Sequence, residues 1–163
     1  MNRKLLENTS NYRLNAIDRF RKINEEHDNG VIAILDDEKS IQLCVSKMLE
    51  RIEFKTMQFT YAFDFLETIR KKEQEIMLLI TDTWIPLGRE RIKRIWTASD
   101  IIYLEACKEF PNLKVLYISG HSLVEVRKYH GNVCPEAKFL QKPFTMIQLV
   151  EKVYEILRDF KND

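Results

Sequence analysis

The sequence carries almost no net charge of either sign. Its 26 Lys and Arg stand against 25 Asp and Glu, a formal +1, so nothing global draws the chain to nucleic acid or to a membrane surface. Paired cysteines are missing as well. Cys44, Cys107 and Cys134 are odd in number and widely spaced, which argues against a disulfide framework and a CxxC metal site and makes a reducing, cytoplasmic home the expectation. His27, His121 and His130 have no Cys or second His at ligand spacing, which argues against zinc. No apolar run reaches the length of a membrane span, and the polar start Met1-Asn2-Arg3-Lys4 leads into no signal-peptide core.

What the chain does have is an alternation of short apolar runs and helical stripes. Its 163 residues are enough for one domain with a sizeable core and some extra. The extra falls at residues 1 to 30, where Leu14, Ile17, Phe20 and Ile23 mark a narrow stripe on a helix expected from about Asn11 to Glu26. That helix either docks on the domain or pairs with a copy of itself, and His27-Asp28-Asn29-Gly30 reads as its stop and linker. Residues 31 to 163 form the domain. Strands are expected at Val31 to Leu35, Lys55 to Phe59, Ile76 to Thr81, Lys114 to Ile118 and Lys138 to Gln141. Ile41, Cys44, Val45, Met48 and Leu49 mark the first helix, and Thr60 is the expected cap of a second carrying Phe65, Leu66 and Ile69. Further helices are expected from about Ser99 to Phe110, from Leu123 to Tyr129, and at the end, where Met146, Leu149, Val150, Val153, Tyr154, Leu157 and Phe160 share an inner face. Five strands alternating with five helices predict an α/β fold: a parallel sheet with right-handed crossovers and helices on both faces.

The most informative stretch is Ile76-Met77-Leu78-Leu79-Ile80-Thr81-Asp82-Thr83-Trp84-Ile85-Pro86. A short apolar run bounded by charge and a turn signal suits a strand buried on both faces. Asp82 then sits at its C-terminal end, the edge where open parallel sheets bind ligands. Other segments bring polar residues to that edge: Asp36 and Asp37 after the first strand, Ser119 after the fourth, Lys142 after the fifth. Taken singly, Asp36, Asp37 and Ser119 read as helix caps and Lys142 as half of a surface ion pair. Together they read as a site. Carboxylates a few ångströms apart repel by roughly 1 kcal/mol in water and about 4 kcal/mol at the effective dielectric of a protein surface, so a cluster of three needs a cation. With no thiolate or imidazole beside them, that cation is a hard one, and Mg²⁺ keeps waters and leaves positions open for a phosphoryl oxygen. Lys142 and Ser119 supply the charge and the hydroxyl that hold phosphoryl oxygens. Asp82 is placed to be the nucleophile, giving an aspartyl phosphate.

The Asp36-Asp37 pair, Asp82 with Pro86, Ser119-Gly120, and Phe139-Leu140-Gln141-Lys142-Pro143-Phe144 follow one another in an order and spacing that makes residues 31 to 160 resemble a response-regulator receiver domain of two-component phosphorelays. The resemblance implies a flavodoxin-like five-stranded parallel sheet in the order 2-1-3-4-5. It implies Asp82 as phosphoacceptor, and Asp37, helped by Asp36 and the backbone carbonyl of Trp84, as Mg²⁺ ligands with Asp82. Ser119 and Lys142 would contact the phosphoryl group, and a cis peptide is expected between Lys142 and Pro143. Ser119 and Phe139 occupy the switch positions; Phe139 lacks the hydroxyl of the tyrosine often found there, and core packing is its other reading. Thr83, Trp84, His121 and Pro143 border the site, with Trp84 bulky enough to shield an aspartyl phosphate from water.

The resemblance also implies partners: a sensor histidine kinase or phosphotransfer protein upstream, and a downstream protein met by the fourth helix, fifth strand and fifth helix. A homodimer is left open. With the chain ending at Asp163, the expectation is a stand-alone receiver without a DNA-binding domain, a phosphoacceptor that assists its own phosphotransfer and dephosphorylation rather than an enzyme. One departure is an inserted loop at about 87–98. Arg89, Arg91, Lys93 and Arg94 against Glu90 make it basic, and Ile92, Ile95 and Trp96 give it an apolar side; lid, kinase contact, acidic-partner site and solvated insertion are the readings open to it, with a nucleic-acid patch disfavoured by the lack of a second basic face. Two other functions compete. A non-phosphorylated receiver-fold interaction module would not use the acidic set, and a haloacid-dehalogenase-type phosphohydrolase needs a second acid where this chain has Trp84.

Overall fold

The computed structural model describes residues 30–71, 75–85, 106–111, 113–130 and 138–158. The expected N-terminal helix at Asn11 to Glu26, Pro86, the insertion at 87–98 and most of the helix expected from Ser99 lie outside the described residues, as do Cys134 and Phe160.

Strand β1, Val31–Leu35, is buried at all five positions, and β3, Ile76–Asp82, at its central five. Runs that are apolar at every position belong in the middle of a sheet covered on both faces. Strand β2, Lys55–Phe59, is mostly accessible and takes one edge; β4, Lys114–Ser119, lies inside the other edge strand β5, Lys138–Gln141. The sheet order is β2-β1-β3-β4-β5, with every neighbouring pair parallel. Between Val31 and Ile32 the register against β3 shifts from Ile76 to Leu78. Met77 is thus an extra residue, and it packs into the same core as Leu78.

Helices α1 (Lys39–Glu50) and α5 (Met146–Arg158) cover one face. Their Val45, Leu49, Leu149, Val153 and Leu157 pack with Ile32, Ile34, Ile80 and Ile118. Helix α2 (Ala62–Lys71) covers the other face, where Phe65, Leu66 and Ile69 meet Ala33, Leu35 and Leu79. Ala106, just before the short α3 (Cys107–Glu109), joins that second core. Helix α4 (Leu123–His130) follows β4. Alternation along β1 is what divides its residues between the two cores. Helices α4 and α5 each begin with a reciprocal capping box, Ser122 with Glu125 and Thr145 with Gln148.

Three details differ from the sequence reading. Cys44, expected on the inner face of α1, is exposed, and that face carries Gln42, Val45, Ser46 and Leu49 instead. The two polar residues are accepted inside because they are bonded: Ser46 Oγ lies 2.7 Å from both Glu50 Oε1 and Thr56 Oγ1, and Gln42 is described below. The Thr60 hydroxyl, expected to cap α2, accepts from Gln42 Nε2 at 3.2 Å, while the first turn of that helix closes from Phe65 N–H onto the Tyr61 carbonyl. Ile156 joins the inner face of α5.

Two leucines on α1 offer an internal comparison. Leu49 is fully buried, whereas Leu43 is 54% exposed. Leu49→Ala is expected to cost about 2–5 kcal/mol and Leu43→Ala to stay within about 0.5 kcal/mol; urea midpoints measure both, and equal losses would contradict this packing.

Candidate functional site

Strand register decides which side chains meet at the C-terminal edge of the sheet. Leu35 pairs with Thr81, so the next residues, Asp36 and Asp82, stand abreast on strands about 4.8 Å apart. Asp82 pairs with Ile118, which brings Thr83 abreast of Ser119. Ser119 pairs with Gln141, and the following residue, Lys142, donates its backbone N–H to the Ser119 carbonyl at 2.7 Å. From there the Lys142 side chain reaches back across β3. Its Nζ lies 2.6 Å from Asp82 Oδ2 and 2.7 Å from Asp36 Oδ2. Asp36 is wholly buried, and the Lys142 side chain is 14% exposed.

The strand ends share a second feature. Asp36 Oδ1 accepts the N–H of Glu38 at 2.9 Å, Asp82 Oδ1 that of Trp84 at 3.0 Å, and Ser119 Oγ that of His121 at 3.2 Å. Each polar side chain closes a turn over its own backbone two residues on. None of this is helix capping at α1, whose N-cap is Glu38, without a side-chain bond. Asp37 is exposed beside the buried Asp36. Trp84 and His121 border the site together, their ring centroids 6.2 Å apart at 43°. Phe139 is half-buried, pairs with Tyr117, and is part of neither described core. The Lys142–Pro143 peptide is cis. Gly120 is exposed, with nothing within 4 Å of where a Cβ would stand, so sterics do not demand glycine there.

The electrostatics follow from burial opposed by pairing. Burial pushes the Asp36 carboxyl above its usual 3.8; bonds from Lys142 and the Glu38 N–H oppose that, and the charge of Asp82 reinforces it. Burial works against the Lys142 ammonium, but its hydrogen bonds to Asp36 and Asp82 and their charge outweigh it, holding Lys142 above the usual 10.5. Lys142 is therefore a fixed positive charge in the working pH range. Its single positive charge is shared between the two abutting carboxylates and offsets part of their repulsion, a pairing that the strand-end pattern alone does not specify. Among the described residues no three of His, Cys, Asp and Glu gather as a metal cage.

Solved structures similar to this chain include several receivers. The chain is similar to a response regulator receiver protein from Sinorhizobium medicae, at 25% identity over 79% of this chain and 94% of that one, with a TM-score of 0.62. It is similar to the receiver domain of NtrX from Brucella abortus, at 26% identity over 78% and 98%, TM-score 0.61. The chain has the receiver-domain fold. A likeness of fold alone, at 19% identity, extends to the beryllofluoride-activated NtrC4 receiver domain dimer, over 80% of this chain and 98% of that one with a TM-score of 0.65. No protein-family model matches the sequence, and no curated protein does. No helix among the described residues is long and apolar enough to cross a membrane.

Within the receiver frame two contributors escaped the sequence reading. Gln42 is fully buried; its Nε2 donates to the Asp36 carbonyl at 2.5 Å and the Phe59 carbonyl at 2.9 Å, tying the ends of β1 and β2 together beneath the acidic residues. A glutamine three residues before Val45 and seven before Leu49 was the available signal. Thr83, expected only to border the site, is buried with its Oγ1 2.7 Å from Ser119 Oγ.

A carboxyl that binds its proton more tightly in the folded chain than in the unfolded one costs stability once ionised. For Asp36, stability falls as pH climbs from about 3.8 through the raised value, and the full cost applies above it. In Mg²⁺-free buffer, Asp36→Asn is therefore expected to melt above wild type at neutral pH, with the gap closing as pH falls through that window. A gap independent of pH would refute this account of Asp36.

Proposed function

We propose that this receiver domain accepts a phosphoryl group on Asp82 from a phosphohistidine kinase or phosphotransfer protein and signals through protein contacts. The observation that carries the reading is the Lys142 ammonium held against Asp36 and Asp82 at 2.7 and 2.6 Å, at the edge where three strands end. In the reaction an Asp82 carboxylate oxygen forms the new O–P bond, the P–N bond breaks, and its electron pair returns to the donor imidazole. Lys142 Nζ, already on Asp82, exchanges a carboxylate oxygen for a phosphoryl oxygen. The Ser119 hydroxyl is the second donor, one strand away. Two bonds anchor this edge from below, from Gln42 to the Asp36 and Phe59 carbonyls.

The donor set suits Mg²⁺. It is all oxygen, and an ion that keeps several waters needs only one or two carboxylates beside the phosphoryl oxygen. One or two carboxylates drawn from Asp36, Asp37 and Asp82, with the backbone carbonyl of Trp84, would hold it, and when bound it would neutralise charge on the transferred group. The addition of about 1.5 to 2 negative charges at Asp82 then biases the surrounding loops. The readout surface we assign is α4, β5 and α5, where Val124 and Ile147 stand exposed; a downstream protein in the cytoplasm or a second receiver copy would meet it. The domain serves as a phosphoacceptor and not as a turnover enzyme, since Trp84 occupies the place where a haloacid-dehalogenase-type phosphohydrolase needs its second acid.

Wild-type protein incubated with acetyl phosphate and Mg²⁺ is expected to gain one phosphoryl group by intact mass, and Asp82→Asn to gain none. Absence of any gain in the wild type would favour the unphosphorylated interaction module. Steady release of phosphate from simple esters would revive the phosphohydrolase.

A further inference from the structure

The buried hydroxyl pair Thr83 and Ser119 has a direction. Ser119 Oγ accepts the His121 N–H at 3.2 Å, and Thr83 Oγ1 donates to Asp82 Oδ1 at 3.3 Å. Each hydroxyl has one proton. Either hydroxyl could donate across their 2.7 Å contact, and only donation by Ser119 to Thr83 leaves the Thr83 proton for Asp82, so that all three contacts are hydrogen-bonded. The chain thus runs from the His121 N–H through Ser119 and Thr83 to Asp82 Oδ1, and such chains strengthen each of their links. Both oxygens sit out of solvent, Thr83 at 1% and Ser119 at 0% exposure, so water does not compete for the bond.

We propose that Thr83 is a positioning residue that holds the Ser119 hydroxyl in its resting orientation and sets how readily it turns to a phosphoryl oxygen on Asp82. The proposal rests on Asp82 being the phosphoacceptor. The one Ser119 proton that a phosphoryl oxygen would recruit is engaged by Thr83. Turning it costs the Thr83 bond, and β4 cannot slide to keep both because its register is pinned at Asp82 with Ile118. The hydroxyl of Thr83 thus opposes the switch, although it lies next to the acceptor in the chain and lines the same site.

The test uses the full chain with beryllofluoride and Mg²⁺ as the phosphoryl probe, binding being followed by tryptophan fluorescence and checked by calorimetry. Thr83→Val, which replaces the hydroxyl by a methyl of similar size, is expected to bind beryllofluoride about three- to tenfold more tightly than wild type, the net worth of one hydrogen bond. Thr83→Ser is expected to restore the wild-type affinity. In a Ser119→Ala background the Thr83→Val gain is expected to vanish, which a merely structural effect of Thr83 would not do. Unchanged or weaker binding by Thr83→Val, or the same gain without the Ser119 hydroxyl, overturns the proposal while leaving Asp82 as acceptor. Failure of the wild type itself to bind beryllofluoride overturns both readings.

Discussion

An ammonium wedged between two carboxylates is the interaction on which this edge of the molecule depends. The parallel pairing of β1 and β3 leaves Asp36 and Asp82 side by side whatever their charges prefer. Two anions so placed, one of them with no exposed surface, would oppose folding by several kcal/mol if left unpaired. Lys142 Nζ resolves this by bonding both. The compensation is incomplete at Asp36, whose carboxyl still holds its proton more tightly than usual because burial outweighs pairing. A site built this way stores electrostatic tension at the C-terminal edge of the sheet.

The rest of the architecture delivers these groups. Runs that are apolar at every position drive β1 and β3 to the centre of the sheet, and the helices that follow must then cover its two faces. Because all strands are parallel, every turn leaving a C-terminal strand end opens on the same side. Three of those turns are closed by the candidate site side chain itself, which accepts from the Glu38, Trp84 or His121 backbone N–H. The candidate site residues therefore also fix the local backbone, which holds them in place. Gln42 adds a brace from α1 to the ends of β1 and β2, so the helix packed on one face and the acidic edge are one mechanical unit.

This dual use explains where reading the chain succeeded and where it did not. Asp36, Asp82, Ser119 and Lys142 stand out because charge or a hydroxyl directly after an apolar strand is out of keeping with its neighbours. Gln42 and Ser46 did not stand out, because on α1 a polar residue between apolar ones looks like a solvated face; only their partners on β2 and the adjoining loops make the interior the better place for them. Cys44 illustrates the complementary case: a small apolar residue fits either face, and the inward face carries the bonded Gln42 and Ser46 instead. The role of Thr83 was equally hidden, since threonine after a strand has no signature for a partner thirty-six residues away.

Hydrophobic period and strand-end polarity, both local properties, were enough to determine the five strands, the helices after β1, β2, β4 and β5, and the four side chains that gather at one edge. Strand order came from family likeness, since periodicity carries no information on which strands neighbour. The tertiary structure alone decided the register: that Asp82 pairs with Ile118, that Met77 is an extra residue, and hence that Thr83 faces Ser119 and Lys142 reaches both acids. Register is a property of strand pairs, set by how two whole faces of side chains interlock, and no single stretch of sequence contains it.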